Sequence, residues 1–345
     1  MIRSIKALLV LAVVVLGSTL LHASPLAVYS QSAEQTISSV AWSPDGARIA
    51  AGYSQGEVRV WDAATGSVQA SFQTGEEEWA GEVSAFLVST LSWSPDGRLL
   101  AAGLGTIPPG GFIQVIDAGT GQILESLYVG YDLKSIAWSP DGSMLAAGLT
   151  VSSLGAYEGW IRVWDSTDFQ LVAEFRHGYA SDVAEIAWSP DGSKLASGGY
   201  NEAGWDNSVR TWDTTQWTLL QTFEHPDFAL SVAWSPDGTK LASAGGGVPG
   251  RIWDATTGQQ LIDLQTDDLQ ETIDGAYNIV WRPNSSQVVS QTTGKILVWD
   301  SNTGQVIEER TLWPYSLNLA WNPDGTKLAY GSDTEIQLID DIGIQ

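Results

Sequence analysis

Few side chains in this sequence could carry reaction chemistry. Downstream of residue 24 there are two histidines, His177 and His225. An imidazole beside a serine and a carboxylate is the equipment of acyl transfer, but these two occupy equivalent places in an internal repeat and so belong to the fold. Gly52-Tyr53-Ser54-Gln55-Gly56 matches the G-x-S-x-G nucleophile elbow. That motif needs a strand-to-helix turn, whereas here it joins strand to strand. Gly245-Gly246-Gly247-Val248-Pro249-Gly250 matches G-x-G-x-x-G and also opens onto a strand, with no helix to receive a pyrophosphate. The chain has no cysteine, which excludes thiolate nucleophiles, disulfides and zinc-thiolate sites. Oxygen ligands at EF-hand spacing are missing. Glu76-Glu77-Glu78 and Asp267-Asp268 could attract calcium but read as solvated loop surface. The sequence therefore predicts no catalytic residue, no metal site and no cofactor.

Binding chemistry is better represented. Of 17 tryptophans, twelve fall in two repeating markers and are core by position. Trp79, Trp160, Trp205, Trp217 and Trp313 do not. All but Trp217 lie in or beside connections at the end where the chain spends its extra length. The same connections carry Glu76, Glu77, Glu78, Tyr157, Tyr200 and Asp206. Aromatic faces among carboxylates suit a cationic partner, through long-range attraction and cation–π contact. The competing role for these aromatics is to anchor their own loops by packing inward.

The elements that position these residues follow from the tryptophan spacing. Trp42, Trp93, Trp138, Trp188, Trp234, Trp281 and Trp321 recur every 40 to 51 residues, and five are followed by Ser-Pro-Asp-Gly. Asn322-Pro323-Asp324-Gly325 is a near copy, and Arg282-Pro283-Asn284-Ser285 is the one weak member. A second marker follows each: Trp61-Asp62, Ile116-Asp117, Trp164-Asp165, Trp212-Asp213, Trp253-Asp254, Trp299-Asp300 and Ile339-Asp340. Short alternating runs separate the markers, and no segment after residue 24 keeps a helical period. Proline presets φ for a turn, aspartate bonds its own downstream backbone, and glycine accepts positive φ. Each unit is thus a meander of four antiparallel strands, a to d. The first tryptophan ends a, the proline turn leads to b, and the second marker ends c. One such sheet cannot bury both faces, but seven packed in a ring can. The predicted fold is an all-β, seven-bladed propeller over residues 24–345.

The repeat length, the Ser-Pro-Asp-Gly turns and the Trp-Asp endings resemble those of the WD40-repeat family. The resemblance implies that each sequence repeat straddles two blades and that the N-terminal strand closes the last blade. Leu26–Ser30, an alternating run with no other partner, is the expected closing strand. Family members often build a buried hydrogen-bond network from a histidine before strand a, an aspartate in the b–c turn and the strand-c tryptophan. Here the turn position is mostly glycine (Gly56, Gly159, Gly294), so the network is expected to be missing.

Charge and the first residues bound the function. The 40 acids against 16 bases give a net charge of −24, which repels phosphate backbones and argues against a nucleic-acid partner. Arg3 and Lys6 precede an apolar run from Ala7 to Leu21, and small residues follow, the layout of a secretory signal peptide over residues 1–23. Cleavage predicts a secreted or extracytoplasmic protein without a membrane span, whereas an uncleaved run would leave it anchored. In a meander the d–a and b–c connections emerge at one end. The long ones, Gly75–Ser89, Leu104–Gly111, Thr150–Gly159 and Tyr200–Asn207, are the loops most suited to function. The sequence thus predicts a monomeric, non-catalytic scaffold. It would bind a protein or surface polymer with a basic patch, or alternatively a carbohydrate or small ligand. The candidate residues are Glu76, Glu77, Glu78, Trp79, Tyr157, Trp160, Tyr200, Trp205, Asp206 and Trp313.

Overall fold

A computed structural model describes residues 27–30, 35–74, 76–79, 82–85, 87–105, 110–153, 156–179, 181–200, 206–246, 248–264, 277–283, 286–292, 294–311, 316–340 and 342. The N-terminal strand is β1 (Ala27–Ser30). Blade 1 holds β2 (Ile37–Trp42), β3 (Arg48–Tyr53), β4 (Glu57–Asp62) and β5 (Val68–Gln73), followed by the strands β6 (Glu76–Trp79) and β7 (Glu82–Ala85). Blade 2 holds β8 (Leu87–Trp93), β9 (Leu99–Gly105), β10 (Phe112–Asp117) and β11 (Ile123–Tyr128). Blade 3 holds β12 (Asp132–Trp138), β13 (Met144–Ser153), β14 (Ala156–Asp165) and β15 (Leu171–Tyr179). Blade 4 holds β16 (Asp182–Trp188), β17 (Lys194–Tyr200), β18 (Ser208–Asp213) and β19 (Leu219–Glu224). Blade 5 holds β20 (Ser231–Trp234), β21 (Lys240–Gly245), β22 (Val248–Asp254) and β23 (Gln260–Asp263). Blade 6 holds β24 (Asn278–Trp281), β25 (Gln287–Thr292), β26 (Lys295–Asp300) and β27 (Val306–Thr311). Blade 7 holds β28 (Ser316–Trp321), β29 (Lys327–Ser332) and β30 (Glu335–Asp340).

The seventh sheet runs β1-β30-β29-β28, so the N-terminal strand supplies its fourth member and closes the ring as expected. The register is Ala27↔Leu338 through Ser30↔Glu335. Tyr29 extends the closure into blade 1, where its ring stacks on Trp61 at 5.8 Å and its hydroxyl donates to Ala63 O at 2.8 Å.

Each part of the repeat has a visible job. In the turn after Trp42, Ser43 Oγ donates to Asp45 at 2.5 Å and accepts from Arg48 N at 2.9 Å, while Gly46 takes φ 67°. Turns 2 to 5 keep the serine–aspartate bond at 2.6 Å. The aspartate of the second marker caps the c–d turn: Asp62 accepts from Ala64 N, Thr65 N and Thr65 Oγ1, and Asp254 and Asp300 accept in the same way from two backbone amides each. The strand-a indoles join blade to blade. Trp93 Nε1 donates to Ala41 O, Trp188 to Ala137 O, Trp234 to Ala187 O, Trp281 to Ala233 O and Trp42 to Ala320 O, all at 3.0–3.1 Å. These bonds satisfy five of the seven strand-a indoles, whereas Trp138 Nε1 and Trp321 Nε1 are buried without a partner. Blades also approach closely where strand b ends in glycine. A Cβ on Gly52 would lie 2.4 Å from Val88 Cγ1, so only glycine admits the next blade.

One local departure stands out. The c–d turns place Gly66, Gly121, Gly258 and Gly304 at φ 69–75°, but blades 3 and 4 put Phe169 (54°) and Trp217 (56°) in that conformation. Side chains there are strained. Trp217 recovers the cost by packing on Phe175 at 5.8 Å and edge-on to Trp188 at 6.1 Å.

Candidate functional site

The d–a and b–c connections share one end, as the meander requires, and they hydrogen-bond to each other. Thr74 N donates to Gly56 O, Val129 N to Gly111 O and Ala229 N to Gly199 O. These bonds tie the two kinds of connection together at the rim.

Two of those segments are strands where the sequence suggested loops. Glu76, Glu77, Glu78 and Trp79 form β6, paired with β7 in the register Glu76↔Ala85, Glu77↔Ser84, Glu78↔Val83 and Trp79↔Glu82. The ribbon is a sheet of its own, separate from the seven blades. Likewise Thr150–Gly159 lengthens β13 and β14, which pair as far as Ser153↔Ala156, with β15 as a third strand. The physical reason is that a two-stranded antiparallel extension satisfies its own backbone polar groups, which a long irregular loop does not.

On the blade 3 extension, Tyr157 is exposed. Trp160 lies on the same strand and is half-buried, packing against the core cluster that includes Leu133 and Leu149. Arg176 covers the Trp160 ring at 4.9 Å and pairs with Glu158 at 3.1 Å, and Trp160 Nε1 donates to Glu158 at 3.3 Å. The structure thus already supplies a cation to this indole. Tyr200 ends β17 half-buried, edge-on to Phe228 at 5.7 Å, and it hydrogen-bonds Asp182, whose carboxyl burial raises.

Asp206 is engaged internally. It pairs with Arg210 at 2.9 Å and accepts from Ser208 Oγ at 2.7 Å, while Arg210 also donates to His177 O. Strand-c arginines are similarly matched: Arg59 with Glu57 at 2.6 Å, Arg162 with Glu174 at 2.5 Å and Arg251 with Asp263 at 3.0 Å. Trp205 and Trp313 lie outside the described residues. Of the sequence-derived candidates, the structure therefore groups Tyr157 with Trp160, sets Glu76–Trp79 on a ribbon between blades 1 and 2, and turns Asp206 inward.

The two histidines are structural. His177 is buried, with Nδ1 2.8 Å from Ser197 Oγ, and the same hydroxyl accepts from Trp212 Nε1 at 2.8 Å. Burial holds its imidazole down to about 3. The buried network expected to be missing is therefore present in blade 4 as His177–Ser197–Trp212. A strand-b serine, not the turn residue, is the acceptor that makes it possible. Ser243 and Ser290 accept from Trp253 and Trp299 in the same manner, at 2.8 Å. His225 faces Asp227 O instead, at 2.7 Å, and burial holds it near 4. Among the described residues no three His, Cys, Asp or Glu side chains are placed to hold a metal ion. No helix among them is long and apolar enough to cross a membrane.

Sequence reasoning passed over Glu185. Three residues before its strand-a tryptophan, the other blades carry Ser39, Thr90, Ser135, Ser231, Asn278 and Asn318. Glu185 and the serines on either side of it reach the next blade: Ile186 N donates to Ser135 Oγ at 3.3 Å, Val232 N to Glu185 at 2.9 Å and Ile279 N to Ser231 Oγ at 3.0 Å. Aligning the repeats position by position would have exposed this polar ring and its single carboxylate.

The family model for the WD domain, G-beta repeat, matches residues 124–165, 169–213 and 217–248. The model for the WD40 domain of anaphase-promoting complex subunit 4 matches residues 26–86. The first two repeat matches begin at a fourth strand or just before it and end on the next blade's Trp-Asp marker, so each straddles two sheets. A comparison with curated proteins finds no match.

Proposed function

From a chain that belongs to the WD40-repeat family, we propose an exported, non-catalytic scaffold that holds a basic protein or surface polymer on its ribbon-bearing end. The fold is consistent with a protein-interaction scaffold, and WD40 propellers are typically non-catalytic. The observation that carries the choice of end is the β6–β7 ribbon. Residues 75–86 contain four acids and no base, and the ribbon belongs to none of the seven sheets. The scaffold does not need it for closure. The strand-c arginines on this end are matched by acids of their own, so the base-free segments 75–86 and 265–276 weight this end toward negative charge. Opposite charge on a partner speeds its association. In this reading the chain acts as a monomer, and residues 1–23 direct export and are removed, so that the product begins at Ser24.

Crosslinking on intact cells identifies the partner, and its association rate is then measured against salt. Glu76→Gln, Glu77→Gln and Glu78→Gln together should slow association and flatten its salt dependence. Arg98→Glu on the exposed opposite end should change little. Loss of binding in the Arg98 variant, with the triple variant unaffected, would reverse the assignment of the face. Mass measurement of the exported protein tests the leader.

A further inference from the structure

The first strand of every blade lines the axis of the ring. Each ends its sheet on one side, and each packs on the next, from β2 through β8, β12, β16, β20, β24 and β28 back to β2. Their side chains alternate. The residue two before the strand-a tryptophan is buried in every blade, whereas the residue one before it is partly exposed in every blade. A strand held between two neighbours and its own sheet can meet water only toward the axis. The ring therefore encloses a lumen that water reaches. All seven residues at this level, and all seven at the level two residues earlier, are described.

At that earlier level six blades carry a neutral serine, threonine or asparagine, and blade 4 carries Glu185, which is partly exposed. The structural task there needs no charge. Ser135 and Ser231 accept the next blade's amide through a hydroxyl, as Glu185 does through its carboxyl for Val232 N at 2.9 Å. The charge is also costly, since burial raises this carboxyl to about 7. Other half-buried acids have a cation beside them, as Glu57 has Arg59, Asp206 has Arg210 and Glu308 has Arg310. Glu185 has only Ser231 and Val232. Charges on the strands packed against β16 are engaged elsewhere. On β12, Asp132 pairs with Lys134 at 2.6 Å. Glu158 and Arg162 of β14 pair with Arg176 and Glu174 of β15, and Asp165 of β14 caps its own turn. His177 of β15 faces Ser197, Lys194 of β17 lies over Trp234, and Tyr200 of β17 bonds Asp182 on β16 itself. Strands β13 and β20 carry no charged residue. A costly carboxylate that the fold does not require, left without a counter-charge beside an open lumen, marks a binding group.

We propose that the lumen beside Glu185 binds an alkyl primary ammonium. The wall offers one negative charge at this level, which one ammonium balances, and an ammonium can donate to a carboxylate directly. A hard divalent cation asks for a shell of six to eight oxygens, commonly several of them carboxylate, and Glu185 is the single acid of its ring. Two residues further along the same strands, Ala137, Ala187 and Ala233 present methyl groups to the lumen. An alkyl stem can lie against them while its charged head meets the carboxylate. The site lies inside the ring and does not rest on the function proposed for the ribbon.

Titration of the full chain with butylamine at low salt tests the proposal, with sodium and tetramethylammonium as competitors. Butylamine stays protonated throughout, so any pH dependence belongs to the protein. It should bind saturably at pH 8 and at least about tenfold more weakly at pH 5, where the Glu185 carboxyl is protonated. Glu185→Gln keeps an acceptor for Val232 N, so it should fold, yet it should lose at least about tenfold in affinity at pH 8 and flatten the pH dependence. A second measurement needs no variant: in carbon-13 spectra of the parent, saturating butylamine should move the Glu185 titration to lower pH. Nα-acetyl-lysinamide separates two sources of the same chemistry. Tighter binding than butylamine would point to a lysine side chain of a partner, and weaker binding to a free amine, and either supports the ammonium site. Absence of saturable binding, equal affinity in Glu185→Gln, an unmoved Glu185 titration, or displacement by sodium or tetramethylammonium at matching concentration would overturn the proposal.

Discussion

Removing Tyr29 tests the ring closure at its tightest point. The side chain is 6 % exposed, stacks on Trp61 with planes 15° apart and donates to Ala63 O at 2.8 Å. It also sits where a Cβ on Gly66 would come within 2.5 Å of its ring, so blade 1 is shaped around it. Tyr29→Phe removes only the hydroxyl bond and should cost about 1 kcal/mol. Tyr29→Ala removes a buried aromatic ring and should cost about 3–5 kcal/mol. In a domain of this size each kcal/mol moves the melting temperature by about 2 °C or a little less, so Tyr29→Ala should melt some 5–10 °C lower. Urea unfolding at constant slope gives the free energies. Hydrogen exchange gives the location: amides of β30, paired to β1, should lose protection in Tyr29→Ala before those of blade 4. A Tyr29→Ala midpoint within 0.5 kcal/mol of the parent, or equal loss of protection in every blade, would refute closure by this strand.

Three further outcomes follow from buried or strained groups. Burial raises the Glu185 carboxyl to about 7, so the folded chain holds that proton more tightly than the unfolded chain. Its contribution to stability is therefore present at low pH and is lost as pH rises from about 4.5 to about 7. Glu185→Gln should raise stability by on the order of 2–3 kcal/mol at pH 8 and by almost nothing at pH 4, and equal unfolding midpoints at pH 8 would contradict this. His177 should remain neutral at pH 5 in nuclear magnetic resonance spectra, because burial holds its pKa far below the usual value; an imidazolium signal in the folded protein at that pH would contradict it. Trp217→Gly relieves a left-handed φ, worth about 1 kcal/mol, but loses the contacts to Phe175 and Trp188, worth about 3 kcal/mol. Calorimetry should show a net loss near 2 kcal/mol, and a gain would mean that the strain outweighs the packing.

Blade number, strand order and the closing strand are legible in the sequence because each has a local signature that repeats in phase. Ser-Pro-Asp-Gly bonds within five residues of itself, and the marker aspartate caps a turn three residues away. Such features need no tertiary context, so chain order alone reveals them. The closing strand is legible for a similar reason, since a seventh sheet short of one strand requires a run with no other partner, whereas the seat of Tyr29 against Trp61 emerges only in the fold.

The candidate site is a different matter, because charge balance and exposure depend on residues distant in the chain. Asp206 reads as a surface acid until Arg210 and His177 are brought beside it, and Trp160 reads as an open aromatic until Arg176 lies over it. The buried network in blade 4 needed Ser197 on a neighbouring strand, a partner that no motif spacing marks. Local hydrogen bonding thus makes the blades readable along the chain, whereas the contacts between blades, which decide what is buried, paired or left open, exist only once the ring has closed.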